Sequence, residues 1–554
     1  MMSFIAERLP RLRLRQYPKA HAAILAESAD GADGAGAVAD GRVSMQTATL
    51  TRAGPGPIGL ARLRGVSPRR WAALAVAAMC VLALVGYFVY PTYPTYDSFY
   101  ALLWGRDVLH LHLPDFRVYR GPTEHPLAIA FGALCSIFGQ GGARLMVLGS
   151  IASFVAAVCG LYRLGSLCFG RVVGVAAALL LLSRFFLENL AAQGYLDISY
   201  IALILWAVVL EVEHRRRGGP VLLVLAAAGL LRPEAWVLSG CYWLWCCFGR
   251  HARERSAAGR IKLLALAAIA PVGWLLVDLV VTGNPLYSLN STAGLAQELE
   301  RTQGLANVVA SVWTFGVRID KLPVILGALA GFGLSIWLAP RRALVPGAAM
   351  LALIGAFVLE GAAGASVIDR YLLGGATLML LFCGVAIGGW SMLEAGSLLR
   401  RAWILAAAAL LVYGISTAAS TVSLSSLRTT LAYHEDFHKG LAVALANPKV
   451  RAQLHRCPLL SLPNNKLIPD ARWILGSVNQ HNIVARSQAR ADVAKHSHAL
   501  ERRLARGSVA VYPLGSAVFY VAIVDVGDDP RDQIPQRGFR RIFTSGYYAI
   551  YGNC

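Results

Sequence analysis

Four charged residues, Asp97, Asp197, Arg232 and Arg370, each stand where a long apolar run begins or ends. Ionisable groups at membrane depth are costly, so they line a cavity or pair with one another. Asp97 lies in YPTYPTYDSFYALLWGRD, shortly after the first apolar run. A carboxylate at the membrane–water boundary could act as general base on a sugar hydroxyl while a lipid-linked donor lies in the bilayer. Asp97 is also a good N-cap for a juxtamembrane helix bearing the apolar stripe Tyr100, Leu103, Trp104 and Val108, and the two roles are compatible.

The other candidates follow the same logic. In Glu124-His125-Pro126, Pro126 suits the first turn of a helix. Glu124 and His125 would then face the outer mouth, as an interfacial pair or as contacts to a lipid phosphate or a sugar. In SRFFLENLAAQGYLDISYIAL, Arg184 and Glu188 are spaced to pair on one helix face. Asp197 has no such partner nearby. In LLRPEAW, Arg232 could hold a phosphate with its forked donors, or pair with Glu234. In IDRYLL, Arg370 is a second phosphate candidate, with Asp369 as its alternative partner. There is no Walker A loop and no GxGxxG after a strand, so a bound nucleotide is not the expected energy source. No HExxH or carboxylate ladder asks for a metal, and no cofactor is expected.

These residues must be positioned by membrane helices. The chain has 554 residues, 56% of them apolar and only 15% charged, and a mean hydropathy of +0.54. Ordinary globular proteins are about 45–50% apolar and about 25% charged. The fold class is therefore an α-helical polytopic membrane protein. The net charge of +21 sits largely in short basic clusters between apolar runs. That marks loops held on the cytoplasmic side, not a nucleic-acid surface. Residues 1–70 are rich in Ala, Gly and Arg, have no apolar period, and read as a disordered cytoplasmic segment without a cleavable signal peptide. Met45 is an alternative start.

About eleven spans are expected between 71 and 420: 71–90, 143–166, 172–191, 197–213, 219–231, 235–248, 263–282, 322–339, 344–362, 371–390 and 402–420. Alternating from the first, they place Arg171, Arg215–Arg217, Arg250–Lys262, Arg341–Arg342 and Arg400–Arg401 inside. The run 126–139 is too short to span and is expected to be re-entrant or tilted. This parity gathers 91–125, 184–197, 232–236, 283–320 and Asp369-Arg370 on the outer face. It also puts 421–554 outside, as one small α/β domain with a helix over His434–Leu445 and strands at Val509–Tyr512, Val518–Val526 and Arg541–Tyr551. Of ten cysteines, eight lie in or beside apolar runs. Cys457 and Cys554 are the two in the tail, where oxidation is permitted, and a disulfide between them is expected.

Taken in order, YDSFYALLWGRD, TEHPL, SRFFLENLAAQGYLD, LLRPEAW and GNPLYS resemble segments of the GT-C superfamily of integral membrane glycosyltransferases, over about 71–420. The resemblance is to the order of features, and LLRPEAW and GNPLYS are similar to segments of actinobacterial members. It implies a polyprenyl-phosphate-sugar donor, an inverting transfer on the outer face of the plasma membrane, Asp97 as base, and Arg232 and Arg370 on the donor phosphate. It implies a glycan or glycolipid of the cell envelope as acceptor, with mannose or arabinose as the sugar by analogy. Metal-using relatives carry a paired acidic motif in the second outer loop. Asp197 stands alone in LDIS, so metal independence is expected. The tail matches no known sugar-binding module. The rival readings are a transporter or lipid flippase, and an envelope scaffold or sensor. In a scaffold the four charged residues would have no reason to converge.

Overall fold

The computed structural model describes residues 68–248, 256–421, 424–476, 482–514, 529–535 and 537–554. The expected disordered segment, apart from 68–70, and the expected strand Val518–Val526 lie outside the described residues. The first helix, α1 (Pro68–Val89), already includes residues 68–70. Then come α2 (Tyr96–Leu109), α3 (Pro126–Ser136), α4 (Gly142–Phe169), α5 (Arg171–Leu182), α6 (Phe185–Ala192), α7 (Leu196–Glu213), α8 (Gly219–Gly229) and α9 (Glu234–Cys247). The second half holds α10 (Ala257–Thr282), α11 (Tyr287–Glu298), α12 (Leu305–Asp320), α13 (Leu322–Leu338), α14 (Pro340–Ala362), α15 (Leu373–Gly388) and α16 (Leu398–Thr421).

Six of the described helices are long and apolar enough to cross a membrane, or up to eight spans if each of two bent pairs counts as one. The expected span 172–191 is one of these pairs: α5 and α6 meet at 60°. Ser183 and Arg184 leave the helical conformation there, because a charged guanidinium and a hydroxyl that bonds its own backbone disfavour an unbroken turn. The other pair, α12 and α13, meets at 110°. Segments α8 and α9 are shorter than the roughly 20 residues a perpendicular span needs.

The elements alternate between two faces. On one, Tyr87 near the end of α1 donates to the Arg144 carbonyl at the start of α4 (3.0 Å). On the other, Arg215 donates to the Arg341 carbonyl, joining two basic loops. The short α3 does not cross. His125, just before it, borders a cavity with Asp97, and beyond its end Gln140 donates to the Trp473 carbonyl of the tail (2.9 Å). It lies back to back with α2, where Gly105 and Gly132 let the backbones touch. A Cβ at either would strike the main chain of the other helix. The bundle centres on α15, most of whose apolar window is buried, while α1 and α16 expose almost all of theirs and ride on the outside. Such exposure is the rule for helices that face hydrocarbon.

The tail continues from α16 as α17 (Leu424–Ala446), α18 (Pro448–Arg456), β1 (Leu460–Leu462), α19 (Ile468–Leu475), β2 (Ile483–Ala485), α20 (Arg486–Ala494), α21 (Ala499–Arg506), β3 (Val509–Pro513), β4 (Arg540–Ser545) and β5 (Tyr548–Gly552). The sheet order is β2-β1-β3-β5-β4. β1 pairs in parallel with β2 and β3, while β3–β5 and β4–β5 are antiparallel. The expected single strand Arg541–Tyr551 is in fact the β4–β5 hairpin, turned at Gly546-Tyr547. A separate core of Phe437, Leu441, Leu460, Val509, Tyr548 and Ile550 fills the space between sheet and helices.

Cys457 and Cys554 form a disulfide with Cα atoms 6.3 Å apart, closing a loop of 97 residues. It ties the chain just past β5 to the end of α18. Reduction, or Cys554→Ser, is expected to destabilise the tail by about 2–4 kcal/mol. Thermal unfolding with and without dithiothreitol checks this, and identical midpoints would count against it.

Candidate active site

The cavity that gathers the candidate residues has a volume of about 300 Å³ and lies at the face where α2, α7 and the tail meet. Its floor is set by two loops that are sewn together. The Thr95 N–H donates to the Gln193 carbonyl (2.9 Å), and Ser98 Oγ to the Gly194 carbonyl (2.7 Å). Gly194 adopts a φ of +69°, which turns the chain sharply between α6 and α7. Asp97 is thereby pinned beside the start of α7. It is not the helix cap. Thr95 is, since its hydroxyl accepts from the Asp97 N–H (3.1 Å). The Asp97 carboxylate is left to face the cavity.

From Asp97 an alternating chain of charges runs inward. Arg370, in the tight turn before α15, donates to Asp97 Oδ2 at 3.1 Å and pairs with Asp197 Oδ2 at 3.5 Å. Asp197 also pairs with Arg232 Nη1, and Arg232 pairs with Glu234 Oε1 at 2.9 Å. Aromatic faces flank both guanidiniums: Tyr195 lies 4.9 Å from Arg370 and Tyr371 4.6 Å from Arg232. The row is graded in access. The Asp97 and Arg370 side chains are 24% and 27% exposed. Those of Arg232, Asp197 and Glu234 are 7%, 4% and 2% exposed. Chemistry with a substrate is available at the Asp97–Arg370 end, while the inner members hold the outer pair in place.

His125 borders the same cavity. Its Nδ1 is buried without a hydrogen-bond partner among the described residues, and its ring meets Trp274 edge-on at 5.6 Å. Burial, aided by the Arg232 charge, pushes its pKa down to about 4. The ring is therefore neutral at ordinary pH and available as a donor or acceptor.

The structure places four of the expected residues elsewhere. Glu124 does not face the cavity. It is buried beside Ser288 and Asp278, and burial raises its carboxyl to about 8. Arg184 does not pair with Glu188 at a site. It donates to the carbonyls of Asp320 (2.5 Å) and Leu180 (3.2 Å) and to Ser183 Oγ (2.9 Å), clasping the two helix breaks together. Broken helix ends leave carbonyls that need such donors. Glu234 pairs with Arg232 behind the cavity wall. Asp369, the alternative partner for Arg370, instead pairs with Arg318 (3.3 Å).

Sequence reasoning missed the tail's part in this site. Asn465 and Lys466 border the cavity, and Asn465 Nδ2 donates to the Tyr96 hydroxyl (3.3 Å). The tail is docked by stacked pairs, Tyr93 on His434 (5.0 Å) and Phe99 on His438 (5.1 Å). His438 is held by Asp470 (2.6 Å). Among the described residues no three His, Cys, Asp or Glu side chains gather to hold a metal ion. The two carboxylates that border the cavity, Asp97 and Asp197, both pair with Arg370.

No family model matches the sequence, and no curated protein is similar to it in sequence. Solved structures are similar in fold. The crystal structure of ArnT from Cupriavidus metallidurans bound to undecaprenyl phosphate matches with a TM-score of 0.54 at 14% identity, covering 88% of this chain and 99% of that one. The apo state of ArnT matches with a TM-score of 0.50 at 15% identity, covering 87% and 98%. An Archaeoglobus fulgidus oligosaccharyltransferase tethered to an acceptor peptide gives a TM-score of 0.46 at 12% identity, covering 86% and 73%. The chain is thus a polytopic helical membrane protein with a GT-C-like fold and a small C-terminal α/β domain.

Proposed function

We propose that the protein is an inverting glycosyltransferase. It moves a sugar from a polyprenyl-phosphate donor to an envelope glycan or glycolipid on the outer face of the plasma membrane. Its N-terminus is cytoplasmic and its tail extracytoplasmic. Mannose or arabinose is the sugar by analogy with actinobacterial enzymes. The observation that carries the reading is the Asp97–Arg370 pair, open to a cavity and backed by Asp197, Arg232 and Glu234. The fold adds support: ArnT, similar in fold over most of this chain, was crystallised with undecaprenyl phosphate.

In this mechanism Asp97 takes the proton from an acceptor hydroxyl. The freed oxygen pair attacks the anomeric carbon, and the carbon–oxygen bond to the donor phosphate breaks. The leaving lipid phosphate gains one negative charge, which Arg370 meets with a charge-assisted hydrogen bond. Arg370→Ala removes that bond, worth roughly 1.5–3 kcal/mol. Donor binding is expected to weaken about 10- to 100-fold, read as the concentration dependence of transfer. Unchanged donor dependence would place the phosphate elsewhere. Activity is expected to survive EDTA, and strict dependence on Mg²⁺ or Mn²⁺ would overturn the metal-independent mechanism.

The reading itself is tested with purified protein in vesicles and a radiolabelled polyprenyl-phosphate sugar. Transfer to acceptor with release of polyprenyl phosphate is expected. Transbilayer movement of the intact lipid without transfer would favour a flippase instead.

A further inference from the structure

A second cavity, of about 270 Å³, abuts the first on the side of the tail. Three segments border both in sequence. α2 gives Tyr96 and Asp97 to the first and Tyr100, one turn on, to the second. The first loop gives Arg120, Pro122, Thr123 and His125 to the first and Asp115, Arg117, Val118 and Tyr119 to the second, and the tail gives Asn465 and Lys466, then Ile468 and Arg472. The Tyr96 and Tyr100 rings meet edge-on at 5.0 Å, forming part of the wall between them. The second cavity is therefore the continuation of the first away from the helical bundle.

Its chemistry is mixed and polar. Arg117, Arg472 and Arg503 bring three guanidiniums to it. Asp115, Gln488 and Asp492 bring acceptor oxygens, the last two one turn apart on α20. Arg472 is 5% exposed. The Tyr100 hydroxyl is fully buried and has no hydrogen-bond partner among the described residues. A buried hydroxyl left unpaired costs about 1–3 kcal/mol, a cost that a ligand oxygen removes. Guanidiniums match phosphate or carboxylate, and carboxylate and amide oxygens match sugar hydroxyls. The volume lies just under the range of about 300–1,000 Å³ usual for drug-sized ligands, which suits a single sugar residue.

We infer that this second cavity binds an anionic sugar residue of the acceptor, one bearing a phosphate or a carboxylate, next to the residue that is glycosylated. The inference rests on the transferase reading above and names the class of its acceptor. Three guanidiniums in so small a space select against a neutral glycan.

The test is direct binding to the purified full chain in detergent, independent of turnover. Glucose 6-phosphate and glucuronate are titrated against glucose and inorganic phosphate, by calorimetry or ligand-observed NMR. At least one anionic sugar is expected to bind at least 10-fold tighter than glucose and than inorganic phosphate, and the stronger of the two identifies the anion. Arg503→Ala, at an exposed position, and Tyr100→Phe are each expected to weaken that binding about 10-fold, with the thermal midpoint of each read alongside. Asp97→Asn is expected to leave it unchanged. Equal binding of glucose, equal binding of inorganic phosphate, or insensitivity to both substitutions would overturn the inference. If anionic-sugar binding responds as expected while vesicles show no sugar transfer, the transferase reading fails and the subsite stands. If transfer occurs and no anionic sugar binds, the subsite fails alone.

Discussion

Asp97→Asn is expected to keep the protein folded and remove transfer, lowering the rate by about 10²–10⁴-fold. The substitution is nearly isosteric. The N-cap of α2 survives it, because Thr95 accepts from the backbone N–H of residue 97 and not from its side chain. Arg370 keeps an oxygen at the same place to donate to. What is lost is a group able to accept the acceptor's proton. Two measurements on one preparation check this: the initial rate of sugar transfer, and the thermal midpoint in detergent. Near wild-type turnover would remove Asp97 from the chemistry. A collapsed midpoint would show that the carboxylate serves the fold, and Asp97→Ser would then be needed to separate the roles.

Arg232→Ala is expected to act differently, on stability first. Its guanidinium lies between Asp197 and Glu234, both almost fully buried. Removing one partner of a buried ionic group leaves the other uncompensated, at a cost of about 3–5 kcal/mol. Glu234 would be stranded, while Asp197 keeps Arg370 at 3.5 Å, so the lower part of that range applies. The thermal midpoint should fall further than in Arg370→Ala, whose pair with Asp97 is 24–27% exposed. Arg232→Lys should recover part of the loss, because a single ammonium restores the charge without the fork. A midpoint unchanged by Arg232→Ala would refute the positioning role and return Arg232 to the donor phosphate.

Several features of this fold are legible in the residues. Basic clusters at Arg215–Arg217 and Arg341–Arg342 share one face, as alternation of the spans requires. Pro126 opens a helix too short to span, and α3 indeed returns to the face it left. Other features have no local signal. β1 and β2 are three residues each, too short to show a period. Arg184 and Arg232 look alike in sequence, each a lone arginine beside an apolar run. Only the packing separates them, one feeding carbonyls at a helix break and the other bridging two acids. Asn465 and Lys466 reach the cavity because the tail docks on α2 through ring stacking. Long-range contact of that kind leaves no pattern in a single chain. Tyr195 and Tyr371 lie beside Asp197 and Arg370 in sequence, yet their rings face Arg370 and Arg232, a cross-pairing that the sequence does not signal.

The charged row draws its members from widely separated stretches: the start of α2, the start of α7, the hairpin before α9 and the turn before α15. A ribosome making this chain therefore exposes Asp97 long before Arg370 exists. Until α15 is made, Asp197 has only part of its neutralising charge, and until the tail docks the cavity lacks one wall. Nascent and truncated forms would then be silent toward the abundant hydroxyls around them. Competence would arrive late and all at once, when the last-made segment closes over the first.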